Sequence, residues 1–168
     1  MKNIYIAGFM GTGKSTVGKI IAKKLNKKFV EMDELIEERE SEKINNIFAK
    51  KGETYFRTLE NKLFREISFE TGLVVSCGGG LVCNGENLDL AKKTGTLISL
   101  MASPLSIYER TKNNKDRPLL NVDKPLDKIK ELLDKRLCFY NKAHYLIDTE
   151  GVSPKKISEK IINLLKNG

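Results

Sequence analysis

Residues 4–16 read IYIAGFMGTGKST, an apolar run that leads directly into a loop rich in glycine. Two glycines of the loop, Gly8 and Gly13, lie five residues apart, and Lys14 and Ser15 follow at once, which is the spacing of the P-loop pattern. Beyond the loop, apolar residues recur at helical spacing, at Val17, Ile20, Ile21 and Leu25. The stretch therefore has the strand, loop and helix order that this phosphate-binding pattern requires.

The residue types of this loop suit phosphate for separate reasons. Glycines allow left-handed backbone angles, so N–H groups can turn inward and form a concave anion site. Lys14 can reach the outer phosphates, Ser15 can offer its hydroxyl to Mg²⁺, and the helix points its positive end at the anion. A chance glycine-rich turn is the alternative, which spacing and context both disfavour. The predicted nucleotide-binding residues are Gly11, Thr12, Gly13, Lys14, Ser15 and Thr16.

The composition predicts one globular domain over residues 1–168, because 40% of the residues are hydrophobic and 31% are charged. No apolar run approaches the ~18 residues of a membrane span. The three cysteines are scattered, without a CxxC pair, which favours reduced thiols over disulfides or zinc. The first strand begins at once and leaves no room for a signal peptide. We expect a cytoplasmic monomer that does not bind membranes.

The net charge of +8 makes nucleic acid a partner to consider. The excess is lysine, which is spread through every predicted helix without an aromatic-rich patch. A solvated basic surface that also attracts small anions explains this pattern better. We therefore expect no nucleic-acid partner.

A second short strand, over residues 29–33, ends in acids. Glu31 and Asp33 are two residues apart, so in a strand their side chains face the same side. The carboxyl ends of parallel strands line the ligand crevice of an α/β sheet, which places both acids beside the P-loop. One can help to hold Mg²⁺, and the other can orient or deprotonate an attacking hydroxyl. Alternatively, Asp33 only caps the helix that follows it.

Residues 34–70 form a charged, helix-rich insertion that Lys51-Gly52 divides. Arg57 lies beside the apolar stripe of its second half, with Glu60 one turn further on. Arg57 has two possible roles, an intrahelical ion pair with Glu60 or a planar fork for a substrate carboxylate.

A third buried strand, over residues 73–77, ends in three consecutive glycines, Gly78, Gly79 and Gly80. Glycines at this position indicate either close approach of the backbone to a ligand or a tight turn.

Residues 111–124 are polar and rich in turn formers, and they contain Arg117-Pro118. This composition fits a mobile lid that brings one rigid arginine to a phosphoryl-transfer site. A solvated linker is the alternative. In the next helix, over residues 126–141, Arg136 lies on an apolar stripe. A buried guanidinium needs an anionic partner, so Arg136 is a second anion clamp unless it snorkels to the surface.

Five short strands alternate with helices, and no internal repeat interrupts them. This order predicts a doubly wound α/β sheet of the P-loop kinase type, with helical excursions at residues 34–70 and 111–124. The single histidine, His144, opens the last strand without a second histidine or acid in register, and we interpret it as structural.

These motifs, in this order, resemble those of the shikimate kinase family, a member of the nucleoside-monophosphate-kinase-like P-loop group, over nearly the whole chain. They are residues 8–16, Glu31-Met32-Asp33, Phe56-Arg57-Thr58-Leu59-Glu60, Gly78-Gly79-Gly80, and Arg117-Pro118-Leu119-Leu120 followed by Arg136 and Tyr140. The resemblance implies a five-stranded parallel sheet in the order 2-3-1-4-5, flanked by helices, with a substrate-binding insertion at about 34–70 and a lid at about 111–124.

By the same resemblance, the chain transfers the γ-phosphoryl group of MgATP to the 3-hydroxyl of shikimate, a step towards chorismate and the aromatic amino acids. Asp33 then acts as the base, and Lys14 and Arg117 are the cations on the phosphates. The other implied contacts are Arg57 and Arg136 on the substrate carboxylate, the backbone of Gly78, Gly79 and Gly80 near the ring, Arg110 and Pro154 on either side of adenine, and Ser15 and Glu31 at Mg²⁺.

One residue departs from the family pattern, since the family usually has Asp where Glu31 stands. Glutamate keeps the charge but adds a methylene, so we expect any contact with Mg²⁺ to run through water. Two other functions stay open on the sequence. One is a related small-molecule kinase such as gluconate kinase, and the other is a nucleotide-binding regulatory module without catalysis. The acid, the arginine pair and the lid arginine favour catalysis, and the pair favours a carboxylate acceptor.

Overall fold

A computed structural model describes residues 2–114 and 117–167, and in this part of the chain five strands form one sheet. Every pairing is parallel and the order is β2-β3-β1-β4-β5, which confirms the predicted order. The strands are β1 (Asn3–Gly8), β2 (Lys28–Glu31), β3 (Leu73–Ser76), β4 (Gly95–Met101) and β5 (Tyr145–Asp148). The central strand β1 is buried along its whole length, as expected of a strand covered on both faces.

Helices cover both faces of the sheet. They are α1 (Lys14–Leu25), α2 (Met32–Glu40), α3 (Ile44–Ser68), α4 (Gly85–Thr94), α5 (Pro104–Thr111), α6 (Pro125–Tyr140) and α7 (Pro154–Asn167), with short 3₁₀ helices at Leu81–Cys83 and Pro118–Leu120. One hydrophobic cluster joins the sheet to α1 and α7, and a larger one joins its other face to α2 through α6. Among the described residues, no helix is long and apolar enough to cross a membrane.

Local sequence sets several helix boundaries. Gly13 takes a φ of 91° immediately before α1, and Gly52 takes a φ of 81° inside α3, where it kinks the helix at the predicted break. Ser103 caps α5 by accepting a hydrogen bond from the Ser106 amide, and Pro104 occupies the first turn as predicted. The two halves of α3 thus meet at an angle fixed by a residue without a side chain.

The position of Asp33 corrects one prediction. The second strand ends at Glu31, and Asp33 lies in the first turn of α2, so the inference from strand alternation was wrong. The capping alternative was also wrong in detail, since Glu31 occupies the cap position and makes no side-chain cap hydrogen bond. A carboxylate in the first turn of a helix is stabilised by the positive end of the helix, which explains why Asp33 joins α2.

The predicted lid segment, residues 111–124, contains the end of α5 and the 3₁₀ helix Pro118–Leu120. Its residues 115 and 116 lie outside the described residues. The predicted insertion, residues 34–70, contains most of α2 and all of α3.

Candidate active site

A cavity of about 480 Å³ opens where the loops after β1, β2 and β3 meet. This is the crevice at the carboxyl ends of parallel strands, where ligands bind in open α/β sheets. Elements distant in sequence, the kinked helix α3 and helix α6, complete its walls. Ten residues predicted for the site line it: Lys14, Ser15, Glu31, Asp33, Arg57, Gly78, Gly79, Gly80, Arg117 and Arg136.

Six other residues, which were predicted to bind the nucleotide, do not line this cavity in the described part of the chain: Gly11, Thr12, Gly13, Thr16, Arg110 and Pro154. Arg110 lies against the P-loop, because its Nη1 donates to the Gly11 carbonyl at 3.1 Å. Pro154 opens α7. The adenine contact of Arg110 and Pro154 therefore stays a prediction.

The P-loop has the geometry expected of a phosphate-binding nest. Gly8, Gly11 and Gly13 have φ angles of 137°, 79° and 91°, values that L side chains rarely adopt. The buried Thr12 hydroxyl donates to the Phe9 carbonyl at 2.7 Å and braces the loop from inside. Lys14 Nζ donates to the same carbonyl at 3.0 Å, so the ammonium is held at the loop before any phosphate binds.

The charge of Lys14 depends on its neighbours. Burial lowers the pKa of Lys14 to about 8, and the nearby Arg117 acts in the same direction, whereas the carboxylates of Asp33 and Glu31 act to raise it. These four side chains therefore form one electrostatic unit at the floor of the cavity, in which cations and acids stabilise each other's charged forms.

Burial also raises the pKa of Asp33, although the cations Lys14, Arg117 and Arg57 act to lower it. A carboxylate with a raised pKa is a stronger proton acceptor. Asp33 therefore combines two properties of a general base, since it is more basic than a free aspartate and lies beside the cation of the P-loop.

Glu31 offers an oxygen suited to a hard cation. Its Oε2 is buried and has no hydrogen-bond partner among the described residues. Burial raises the pKa of Glu31, and the hydroxyls of Ser15 and Ser76 act against that rise. No group of three or more His, Cys, Asp and Glu residues able to hold a metal occurs within residues 2–114 and 117–167. Glu31 and Ser15 offer one oxygen ligand each. Two protein ligands are enough for Mg²⁺, because this ion keeps several waters and usually takes its other ligands from phosphates.

Arg57 has the intrahelical partner expected of it, since its Nη1 donates to Glu60 Oε2 at 2.6 Å. Glu60 has no exposed surface, so this ion pair lies inside the wall of the cavity. Its carboxylate, together with that of Glu53, raises the pKa of Arg57 although burial acts to lower it. Arg57 also lines the cavity, so the ion pair leaves the fork role possible.

Arg136 is the most deeply buried cation of the site, with 7% of its surface exposed. The snorkelling alternative was therefore wrong. Its guanidinium carbon lies 5.3 Å from the ring centroid of Phe9, and its Nη1 is buried without a hydrogen-bond partner among the described residues. A buried guanidinium donor without an acceptor is destabilising, which indicates that an anionic group completes the site.

The glycine loop after β3 makes close approaches that exclude side chains. A methyl group at Gly78 would clash with Glu60 Oε1, and one at Gly80 would lie 2.7 Å from the guanidinium of Arg57. The Tyr140 hydroxyl donates to the Gly79 carbonyl at 2.5 Å and fixes the loop to α6. Close packing on the side chains of the site explains the glycines, beyond the tight-turn alternative.

Arg117 lies immediately before the 3₁₀ helix Pro118–Leu120 and lines the cavity. Its Nε is buried and has no hydrogen-bond partner within the described ranges. This N–H can therefore donate to an incoming acceptor such as a phosphate oxygen, which is consistent with the predicted lid role of Arg117.

For several residues of the site, the sequence analysis predicted no role in binding or catalysis. Phe48 and Phe56 line the cavity from the two halves of α3 with their ring centroids 4.9 Å apart, and Met10 contributes from the P-loop. Glu53 accepts hydrogen bonds from Arg57. The spacing of Glu53, Arg57 and Glu60 on one helix face was the available signal for Glu53.

Comparison with known proteins gives a consistent result. A family model described as shikimate kinase matches residues 10–166. The chain is 50% identical to the shikimate kinase of Sulfurihydrogenibium sp. (strain YO3AOP1) over 99% of both chains. It is 48% identical to that of Thermodesulfovibrio yellowstonii, over 96% of this chain and 94% of the relative.

Among solved structures, the shikimate kinase of Acinetobacter baumannii in complex with shikimate has a TM-score of 0.96 and 35% identity, covering 99% of this chain and 94% of that chain. A gluconokinase of Sinorhizobium meliloti has a TM-score of 0.62 and 16% identity, covering 99% of this chain and 95% of that chain. The second likeness concerns the fold alone.

Proposed function

The chain belongs to the shikimate kinase family, and we infer that it transfers the γ-phosphoryl group of ATP to the 3-hydroxyl of shikimate. The products are shikimate 3-phosphate and ADP, and the step belongs to the biosynthesis of chorismate and the aromatic amino acids. The observation that carries this function is the cavity, which brings together the Asp33 carboxylate, Lys14 of the P-loop and the two arginines Arg57 and Arg136. Lys14 suits a phosphate donor, Asp33 suits a hydroxyl acceptor, and the two arginines suit a carboxylate on that acceptor.

Asp33 takes the role of base. The oxygen of the 3-hydroxyl forms a bond to the γ-phosphorus, the bond from that phosphorus to the bridging oxygen of ADP breaks, and the hydroxyl proton passes to Asp33. Its raised pKa, with burial as the cause, supports this role. The transition state is loose and its charge is spread over oxygens, so positioning and charge neutralisation supply most of the catalysis.

Lys14 and Arg117 neutralise that charge on the donor side. Ser15 and Glu31 would hold Mg²⁺, which would neutralise part of the phosphate charge when it is bound. The unpartnered Oε2 of Glu31 supports the metal assignment. The rest of the nucleotide is held by Gly11, Thr12, Gly13 and Thr16 of the P-loop, with Arg110 and Pro154 beside adenine.

Arg57 and Arg136 bind the carboxylate of the acceptor. The unpartnered Nη1 of Arg136 supports this assignment, since a substrate carboxylate would supply the missing acceptor. Gly78, Gly79 and Gly80 bring backbone close to the ring of the substrate. The lid, about residues 111–124, delivers Arg117, and the insertion, about residues 34–70, delivers Arg57.

We propose a monomer, because one chain over residues 1–168 supplies every residue of this site. From the dispersed lysines and the scattered cysteines, we also propose that it works in the cytoplasm without a nucleic-acid or membrane partner. Sedimentation at working concentration tests the oligomeric state, and a stable dimer would contradict it.

The function is tested by ADP release with MgATP and a panel of hydroxy acids. We expect release to require shikimate and to be negligible with gluconate or a nucleoside monophosphate. The Asp33→Asn variant should lose turnover by ~10²- to 10⁴-fold, the range of a general base, while it still binds ATP. Better turnover with gluconate than with shikimate would overturn the assignment, and ATP binding without any turnover would favour the regulatory module.

A further inference from the structure

The guanidinium of Arg57 is held by carboxylates on two of its edges. Glu53 Oε1 accepts hydrogen bonds from Nε at 3.3 Å and from Nη2 at 3.1 Å, whereas Glu60 Oε2 accepts from Nη1 at 2.6 Å. Gly80 packs against the face of the group, where an added methyl would lie 2.7 Å from Cζ, Nη1 and Nη2. The end of the fork, with one N–H each on Nη1 and Nη2, is left by these contacts for another acceptor.

The two acids differ in their surroundings. Glu60 is completely buried within the wall of the site, whereas half of the Glu53 side chain is exposed. A second cavity of about 320 Å³ is bordered by Glu53, Arg57, Glu60, Gly80, Cys83 and Arg136. Arg57 borders both cavities. Its guanidinium therefore has open space in the second cavity as well as in the first, and long side chains use such space to populate other rotamers.

Glu53 owes its place to the kink in α3. Gly52 has a non-helical φ of 81° and ψ of 170°, and Glu53 follows it at the start of the second half of the helix. One turn then separates Glu53 from Arg57 and a further turn separates Arg57 from Glu60, so the three side chains lie along one helix face.

We propose that Glu53 is a positioning residue for the acceptor carboxylate. By holding the Nε and Nη2 edge, it prevents Arg57 from turning into the second cavity and aims the remaining end of the fork at the substrate. This rests on the proposed function, in which Arg57 binds that carboxylate. A half-exposed ion pair contributes little to folding stability, so the effect of Glu53 belongs to binding. Ordering one long side chain in advance removes a cost that substrate binding would otherwise bear.

The test compares Glu53→Ala with Glu53→Gln. We expect the alanine variant to raise the KM for shikimate about 3- to 10-fold, which corresponds to ordering one rotamer-rich side chain. Its kcat, its KM for ATP and its melting temperature should stay at the wild-type values. Glutamine retains an oxygen acceptor for Nε and Nη2, and should restore most of the affinity.

Two comparisons make the result specific. Glu66→Gln removes another exposed acid of α3, which pairs with Arg39 at 2.5 Å, and should change no kinetic constant. Shikimate methyl ester lacks the carboxylate charge, so its kcat/KM should be the same with wild-type protein and with Glu53→Ala.

An unchanged or lower KM for shikimate in Glu53→Ala would overturn the proposal, because it would make Glu53 a bystander or a repelling charge. An equal loss with the ester, or a fall confined to kcat, would also overturn it. Failure of the proposed function is a separate outcome, since wild-type protein would then not phosphorylate shikimate at all.

Discussion

Lys14 shows how one side chain is tuned by opposing forces. Burial removes water from its ammonium and lowers its pKa to about 8, although Asp33 and Glu31 act to keep it charged. The protonated form is the one that binds phosphate. As the pH rises through about 8, the free protein therefore loses a positive charge at the P-loop.

We expect kcat/KM for ATP, which reports on the enzyme form present before ATP binds, to fall with a midpoint near pH 8. In contrast, kcat should fall only at higher pH, because bound phosphates favour the ammonium form. Rates at saturating shikimate and constant ionic strength, from pH 7 to 10, check this. Lys14→Arg carries a guanidinium that stays charged throughout, so its residual activity should lack the descending limb. A wild-type kcat/KM that is flat to pH 9.5 would contradict the prediction.

Single residues were also where the sequence was most informative. The P-loop spacing predicted Lys14 and Ser15 as nucleotide-binding residues. The position of Arg136, a charged residue on an apolar stripe, indicated an anion site. The burial of Glu60 could not be deduced, because an (i, i+3) ion pair has the same sequence pattern on a solvated face as inside a wall. Glu60 is buried because the glycine loop after β3 packs against α3 at this residue, and the sequence of α3 alone does not show this contact.

The loop of three glycines, Gly78, Gly79 and Gly80, lines the cavity and packs against Glu60 and Arg57. Gly78 does not have a positive φ, so backbone conformation alone would accept alanine there. Its methyl group would instead clash with Glu60 Oε1 and lie 3.3 Å from Asp33 Oδ1. Since Glu60 is fully buried and tied to Arg57, it cannot move away without disturbing the arginine.

Gly78→Ala should therefore raise the KM for shikimate by about 5- to 150-fold, which corresponds to the ~1–3 kcal/mol typical of overpacking, and leave the affinity for ATP unchanged. Gly85→Ala is the matched control. Apart from its chain neighbours and its own helix backbone, no atom of the described residues would lie within 4 Å of its methyl group. The position opens α4, where alanine is a better helix former than glycine. Steady-state kinetics with both substrates separate the two variants. A wild-type KM for Gly78→Ala would show that Glu60 has freedom that its contacts do not suggest.

Element boundaries reveal the limit of periodicity. The sequence Phe29-Val30-Glu31-Met32-Asp33 is compatible with a strand throughout, yet the strand ends at Glu31. Met32 is fully buried in the first turn of α2, and it would also be expected to be buried in a longer strand. The apolar pattern therefore does not distinguish a strand from a helix at this position. What decides is that β2 pairs with β3 only as far as Glu31 and Ser76, after which the chain turns into α2. Both acids nevertheless line the same cavity as Lys14, and their catalytic and metal-binding roles stay predictions.

At the scale of the whole molecule, strand order determines which loops meet. β1 lies between β3 and β4, so the P-loop is adjacent to the glycine loop although about seventy positions separate them in the sequence. Alternation of strands and helices predicts a parallel sheet, but many strand orders are compatible with it. The order 2-3-1-4-5 came from the family resemblance, as did the assignment of the adenine contacts, since local chemistry carries no information about either.

In the proposed function, the cavity has a donor wall on the P-loop and an acceptor wall on α3, the glycine loop and α6. Ligands of each wall should then stabilise the fold independently. A ligand at 100 times its Kd contributes about 2.7 kcal/mol, which for a chain of this size raises the melting temperature by about 5–10 °C. Shikimate alone and MgADP alone should each produce such a shift in calorimetry.

Arg136→Met and Lys14→Met separate these effects. Methionine at 136 replaces a buried, incompletely paired guanidinium with an apolar side chain, so the free protein should melt at the same or a higher temperature, while the shift with shikimate disappears and the shift with MgADP persists. Lys14→Met should show the reverse pattern with ligands. Loss of both shifts in both variants would mean that the two walls do not form independently, and that binding at one completes the other.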